Sequence, residues 1–191
     1  MEKLFALFMT AFLINNVVLT KFLGICPLLG VSKNRSSALG MGAAVIFTIV
    51  GSSIFTYGLY YGILKPMHLE YMNLITFILV IAGFVQFVEM FMKKYSTVLY
   101  KALGIYLPLI TTNCVVLYVA LQNITDNLNF VEMLVYSVAV PAGFALVLYI
   151  FSTIRERLEI STTPKPFIGN PIVLIVAALC ALAFSGLAGL V

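Results

Sequence analysis

The stretch Asn15-Asn16-Val17-Val18-Leu19-Thr20-Lys21-Phe22-Leu23-Gly24-Ile25-Cys26-Pro27-Leu28-Leu29-Gly30 puts amides, a hydroxyl, a lysine, glycines, a cysteine and a proline into an otherwise apolar run. Leu103-Gly104-Ile105-Tyr106-Leu107-Pro108-Leu109-Ile110-Thr111-Thr112-Asn113-Cys114-Val115-Val116-Leu117 repeats much of that mixture. Proline lacks an N–H and clashes with the preceding turn, so a helix is expected to kink or stop at Pro27 and Pro108. Freed backbone groups are tolerated at membrane depth only inside protein or beside a polar cavity. Both stretches therefore read as broken transmembrane helices whose half-ends face the protein interior. The plainer alternative is a pair of ordinary proline kinks.

The chain around these two stretches has the composition of a membrane protein. Of 191 residues, 62% are hydrophobic and 9% are charged, against about 25% charged in an ordinary soluble domain. A soluble protein could not cover its surface with so few charges, which excludes a cytosolic globular enzyme, a disordered chain and a disulfide-stapled secreted domain. No charge occurs between Arg35 and Lys65, Lys101 and Asp126, Glu132 and Arg155, or Lys165 and Val191. Shorter windows lie between Glu70 and Glu89 and between Lys3 and Lys21. A span needs about 20 apolar residues. The pattern predicts an all-α membrane protein with six transmembrane helices near 4–30 (interrupted), 37–63, 71–92, 98–122 (interrupted), 131–154 and 170–190. A transmembrane barrel would need short alternating strands, which these runs lack.

The whole chain, 1–191, reads as one integral membrane domain, with halves 1–95 and 96–191 of three helices each. The breaks fall in the first and fourth helices, and three crossings reverse direction, so the halves are expected to form an inverted repeat. The letters give thin support. Asn-x-Val-Val-Leu recurs at 15–19 and 113–117, and Leu-Gly-Ile at 23–25 and 103–105, but in opposite order.

Basic residues set the expected orientation. Lys33, Arg35, Lys93, Lys94, Lys101, Arg155, Arg157 and Lys165 fall in the first, third and fifth loops, against Lys3 and Lys65 on the other side, with Lys21 at membrane depth. The positive-inside rule places those loops in the cytoplasm and both termini outside. The net charge of +4 is then a topology signal, and its dispersal argues against nucleic acid as a partner. Tyrosines such as Tyr57, Tyr60, Tyr61 and Tyr118 lie mostly near expected helix ends, as interfacial anchors do. Glu2 cancels Lys3 and no small-residue cleavage site follows, so the first helix is expected to be retained rather than cleaved as a signal peptide.

Catalytic machinery is scarce. There is no Gly-rich phosphate loop and no dinucleotide fingerprint. The single histidine, His68, falls in an expected outer loop and reads as solvated. Chemistry must come from a cofactor or a partner, and the cysteines are the sharpest pointer. Cys180 lies among alanines and leucines and reads as a small buried hydrophobe. Cys26 and Cys114 each sit at a polar break, in corresponding helices. Thiolates are soft ligands suited to iron–sulfur clusters. A four-thiolate cluster needs two more than this pair, so a cluster here would be shared with another chain. A Cys26–Cys114 disulfide is the competing pairing.

Asn15-Asn16-x-Val-Leu, Phe22-Leu23-Gly24-Ile25-Cys26-Pro27, Gly30-Val31-Ser32-Lys33, Leu107-Pro108-Leu109-Ile110-Thr111-Thr112-Asn113-Cys114 and Thr153-Ile154-Arg155-Glu156-Arg157-Leu158 carry a resemblance. Together they resemble the A subunits of the Rnf electron-transport complex, relatives of the E subunits of the sodium-pumping quinone reductase. The resemblance implies a bacterial inner-membrane complex that passes electrons between ferredoxin and NAD and couples them to Na+ or H+ transport. It implies a neighbouring, homologous six-helix E subunit, with B, C, D and G subunits beside it. It also implies a 2Fe-2S cluster shared across the A–E interface, with Cys26 and Cys114 as this chain's two ligands. Flavins and further Fe–S clusters would reside on partner subunits, so this chain would be a translocase subunit without a complete active site.

Two other classes stand beside that reading: a secondary transporter binding solute at half-helix ends, and a passive membrane scaffold. Gly24 and Pro27 lie close to the first cysteine and are expected either to support the cysteine ligands or to line an ion path. Asn15, Asn16, Thr111, Thr112 and Asn113 place neutral oxygens at membrane depth, which suits either an ion path or repair of broken backbone. Glu89 and Glu132 lie near expected helix ends and are expected to face water.

Overall fold

The computed structural model describes residues 2–32, 35–66, 70–95, 109–110, 112–160 and 169–186. All regular structure among them is helical: α1 (Glu2–Met9), α2 (Val17–Lys21), α3 (Ile25–Val31), α4 (Arg35–Leu59), α5 (Asn73–Tyr95), α6 (Cys114–Thr125), α7 (Phe130–Ile160) and α8 (Asn170–Ser185). Wider π-type turns extend α1 over Thr10–Ile14 and α4 over Tyr60–Leu64. This is the expected all-α membrane protein.

Three of these helices are long and apolar enough to cross a membrane unaided: Ser37–Leu64, Asn73–Met90 and Phe130–Leu158. They are the second, third and fifth expected spans. The first is interrupted, as expected, and the sixth is described as α8. Of the fourth, the opening portion with Pro108 lies outside the described residues.

The second and fifth spans, α4 and α7, form the centre and run antiparallel. Arg35, at the start of α4, pairs with Glu156 near the end of α7 at 2.6 Å. At the far end, the Tyr57 hydroxyl donates to the Leu128 carbonyl just before α7, at 3.3 Å. The start of α4 and the end of α7 therefore share one face of the bundle. The pair packs closely: a Cβ on Gly42 would lie 2.8 Å from Ala145 Cβ. Small residues allow such approach where lipid supplies no hydrophobic drive.

The other spans pack around this centre. The first packs on α7, and α6 of the fourth packs on α4; α5 packs on α6, and α8 packs on α2. α5 also packs on α4, a contact that α8 and α7 do not match among the described residues.

Burial follows the same plan. Val45 and Ile49 of α4, Phe144 and Leu148 of α7, and Val115 and Val119 of α6 are buried. Leu74, Ile78 and Leu79 of α5 and Leu179 and Leu182 of α8 are exposed. Outward apolar residues of this kind suit lipid as solvent. The buried threonines of α4 are satisfied within the helix, Thr48 donating to the Ala44 carbonyl and Thr56 to the Ser52 carbonyl, both at 2.8 Å, whereas the buried Ser53 hydroxyl has no hydrogen-bond partner.

One basic cluster differs from expectation. The fifth span continues to Ile160, past the expected end near 154. Arg155 and Arg157 thus lie on the last turns of α7 rather than in a loop, and Arg155 is buried. Helix favours this continuation because no glycine or proline interrupts Leu146 to Ile160.

Candidate functional site

The break in the first span is built around Asn16. The π-type turn ends with the Asn15 N–H on the Thr10 carbonyl at 2.7 Å. Asn16 then adopts an extended conformation (φ −63, ψ 117), and its Oδ1 accepts from the Val18 N–H at 3.2 Å, capping α2. An Asn side chain here satisfies one of the orphan donors of a helix start. Its Nδ2 donates to two carbonyls, Phe12 at 3.3 Å and Gly143 of α7 at 3.0 Å. Only glycine fits at 143, because a Cβ there would meet the Phe12 carbonyl oxygen at 2.5 Å.

A second bend follows the five residues of α2. Phe22 is left-handed (φ 54) and closes α2, and Gly24 is left-handed (φ 81) and opens α3. A Cβ on Gly24 would lie 2.7 Å from Phe144 and 2.9 Å from Val115. Conformation and space both demand glycine. Cys26 follows in the first turn of α3 and is exposed, while Pro27 beside it is buried. The expectation that Pro27 itself breaks the helix is corrected: the chain bends at Phe22–Gly24. Pro27 stands in the first turn of the next helix, where its missing N–H has no partner to lose.

The break in the fourth span repeats the first device. Asn113 has nearly the same dihedrals (φ −71, ψ 114), and its Oδ1 accepts from the Val115 N–H at 3.1 Å. Its buried Nδ2 has no hydrogen-bond partner. Cys114 is the first residue of α6 and is exposed. In geometry Asn113 corresponds to Asn16. The repeated letters pair it with Asn15, one residue off, and Asn15 lies exposed in the turn.

The two breaks meet. The Gly24 N–H donates to Cys114 Sγ at 3.1 Å, across 90 residues of sequence. The bend just before Cys26 therefore lies against the other cysteine. All three cysteines are free, so the disulfide alternative does not occur. Cys180 is half-buried on α8 and packs against the core. Among the described residues no group of three or more His, Cys, Asp and Glu could hold a metal ion. The donor set is two exposed sulfurs at helix starts, with a peptide N–H on one of them. That chemistry fits half of a metal–sulfur site completed by another chain, since peptide N–H groups commonly support cluster sulfurs.

The remaining candidates scatter. Thr112 is exposed beside Asn113, and Thr111 and His68 lie outside the described residues. The Glu132 carboxylate accepts from the Asn129 N–H at 3.0 Å, a capping contact at the start of α7. Glu89 is partly buried on α5. Sequence reading missed Gly143 and Phe144, which receive the first break. It also missed Arg155, whose Nη1 donates to the Leu29 carbonyl at 2.9 Å and to Ser32 Oγ at 2.8 Å. The signal for Arg155 was present in the uninterrupted helical run leading up to it.

Comparison with known proteins gives a consistent result. A family model described as "Rnf-Nqr subunit, membrane protein" matches residues 4–191. The A subunit of the ion-translocating oxidoreductase complex of Syntrophotalea carbinolica is 52% identical over 191 residues, covering 100% of this chain and 99% of that protein. The A subunit of the Na(+)-translocating ferredoxin:NAD(+) oxidoreductase complex of Acetobacterium woodii is 52% identical over 181 residues, covering 95% and 94%. The A subunit of the ion-translocating oxidoreductase complex of Serratia proteamaculans is 50% identical over 191 residues, covering 100% and 99%.

Proposed function

The chain belongs to the Rnf-Nqr family of membrane subunits, and from that membership we propose that it fills the A position in an ion-translocating ferredoxin:NAD oxidoreductase complex of the bacterial inner membrane. Its part is to relay electrons inside the membrane. Cys26 and Cys114 hold one edge of a 2Fe-2S cluster, and a homologous six-helix subunit supplies the other two thiolates. A cluster so bound supplies one-electron transfer at membrane depth. Ferredoxin, NAD and flavins are handled by other subunits.

The observation that carries this reading is the contact of the Gly24 N–H with Cys114 Sγ at 3.1 Å. It draws the two cysteine-bearing breaks together and leaves both thiols exposed. The chain's residues then act in three ways. Asn113 caps α6 so that Cys114 stands in its first turn, where unpaired N–H groups favour negative charge, and the left-handed Gly24 opens α3 so that Cys26 stands at its start. Gly24 directs a peptide dipole at one sulfur, which tunes a bound cluster's potential. The buried valines beneath, Val115, Val116 and Val119, keep water from that side. Coupling to ion movement is supported by the names of the relatives, one of which specifies Na(+), and cytoplasmic placement of the first, third and fifth loops is supported by the basic residues in and beside them.

The test is made in the assembled complex. Cys26→Ser and Cys114→Ser should each remove one EPR-visible 2Fe-2S signal while the other clusters persist. Cys180→Ser should leave all signals in place. An unchanged cluster inventory in the first two variants would overturn the proposal.

A further inference from the structure

The short helix that carries Cys26 is held at its far end by a buried cation. Helix α3 spans seven residues, Ile25–Val31. A helix this short does not stand alone, because nucleation is unfavourable and few bonds follow it. Gly24 supplies no side-chain cap, and Ser32 ends the helix in a right-handed conformation without a glycine cap. Its ends therefore depend on tertiary contacts. At the start the contact is Gly24 with Cys114, and at the end it is Arg155 of α7.

Arg155 Nη1 donates to the Leu29 carbonyl at 2.9 Å and to Ser32 Oγ at 2.8 Å. The Leu29 carbonyl is one of the last four of α3, which have no partner within the helix. A positive charge at that end also complements the helix dipole. Arg155 is only 6% exposed, so its guanidinium gives up most of its hydration, a cost that demands well-made compensating bonds. The adjacent Glu156 pairs with Arg35 at 2.6 Å, so consecutive residues of α7 bracket the connection from α3 to α4.

We propose that Arg155 is a positioning residue for Cys26: by gripping the C-terminal end of α3 it sets the depth and angle at which that helix presents its cysteine beside Cys114. The inference rests on the proposed function only where it concerns a bound cluster; the grip itself is a property of this chain.

Two measurements decide it. In the purified full chain, Arg155→Gln should speed amide hydrogen exchange over residues 24–31 by about tenfold or more, the weight of a charge-assisted hydrogen bond. Exchange over residues 116–125 of α6 should stay unchanged. Ser32→Ala removes one acceptor, keeps the cation and serves if the glutamine variant does not fold; it should move the same segment in the same direction by less. In the assembled complex, Arg155→Lys should keep the 2Fe-2S signal but shift its g values or midpoint potential, since one ammonium does not reproduce the guanidinium fork. Unchanged exchange over 24–31 in both chain variants, or equal acceleration across α6, overturns the grip. An unshifted cluster in Arg155→Lys overturns its influence on Cys26. A wild-type complex with no such cluster would instead defeat the proposed function, while the exchange result would still decide the grip.

Discussion

At the first break Asn16 makes three side-chain hydrogen bonds, two of them with its Nδ2; at the fourth-span break Asn113 makes the cap alone and leaves its Nδ2 without a partner. The first span then bends again at Phe22 and Gly24 before its cysteine, whereas Cys114 begins a helix that runs unbroken to Thr125. The shared cap shows how a polar residue lets a membrane helix stop and restart without stranding its backbone. The difference shows which side adapts. Cys114 rides on a continuous helix packed by Val115, Val116 and Val119. Cys26 rides on a short piece whose place is set by α7, through Gly143, Phe144 and Arg155. Damage to the first break should therefore exceed matched damage to the fourth.

The largest effect is expected at Gly24. Alanine there meets a left-handed backbone, about 1–2 kcal/mol, and contacts of 2.7 and 2.9 Å with Phe144 and Val115, about 1–3 kcal/mol of overpacking. Thermal unfolding in detergent should show Gly24→Ala losing about 2–5 kcal/mol. Gly58→Ala is the control: it lies within α4 with nothing within 4 Å of a new Cβ, and should be neutral or slightly stabilising. Equal tolerance of the two substitutions would mean that the second bend is not held as described.

The two asparagines come next. Asn113→Ala should lose about 1 kcal/mol, the weight of one cap. Asn16→Ala should lose about 2–3 kcal/mol, because the buried Gly143 carbonyl also loses a donor. Aspartate sharpens the contrast. It can still cap at 113, but at 16 it would turn an oxygen toward the Phe12 and Gly143 carbonyls. Asn16→Asp should therefore be the worse by a wide margin in unfolding midpoint. If the two aspartate variants behaved alike, the asymmetry between the breaks would fall.

The sequence displays the spans because lipid excludes charge, so Arg35 to Lys65 announces a helix by what it lacks. It also displays the breaks, through amides and glycine in an apolar run. It does not display where each bend falls. Phe22 is left-handed although it is exposed and nothing in its residue type asks for that conformation. Pro27 draws attention as the breaker, yet it sits harmlessly in a first turn. The letter repeat aligns Asn15 with Asn113, while the dihedrals align Asn16, because a one-residue slip is invisible where two asparagines adjoin. Arg155 looks like one more loop charge because a sequence shows sign but not burial. That Cys26 and Cys114 each sit at a polar break was legible in the letters; the Gly24 N–H that joins the breaks was not, since backbone donors leave no mark there.

The smallest effect concerns Thr20. Its Oγ1 donates to the Asn16 carbonyl at 2.8 Å, and the corresponding residue after Asn113 is Leu117, which has no hydroxyl. Thr20→Val keeps the shape, deletes the hydroxyl and makes the first break resemble the fourth. The Asn16 carbonyl would still accept from the Leu19 N–H at 3.1 Å and the Thr20 N–H at 2.9 Å. No buried acceptor is stranded, so the loss should be about 0.5 kcal/mol, the low end for a net hydrogen bond. Unfolding midpoint and hydrogen exchange over residues 17–21 measure it. A loss as large as that of Asn16→Ala would place the strength of the first break in the threonine rather than in the asparagine, and the fourth break, which lacks any such hydroxyl, would then need a different account.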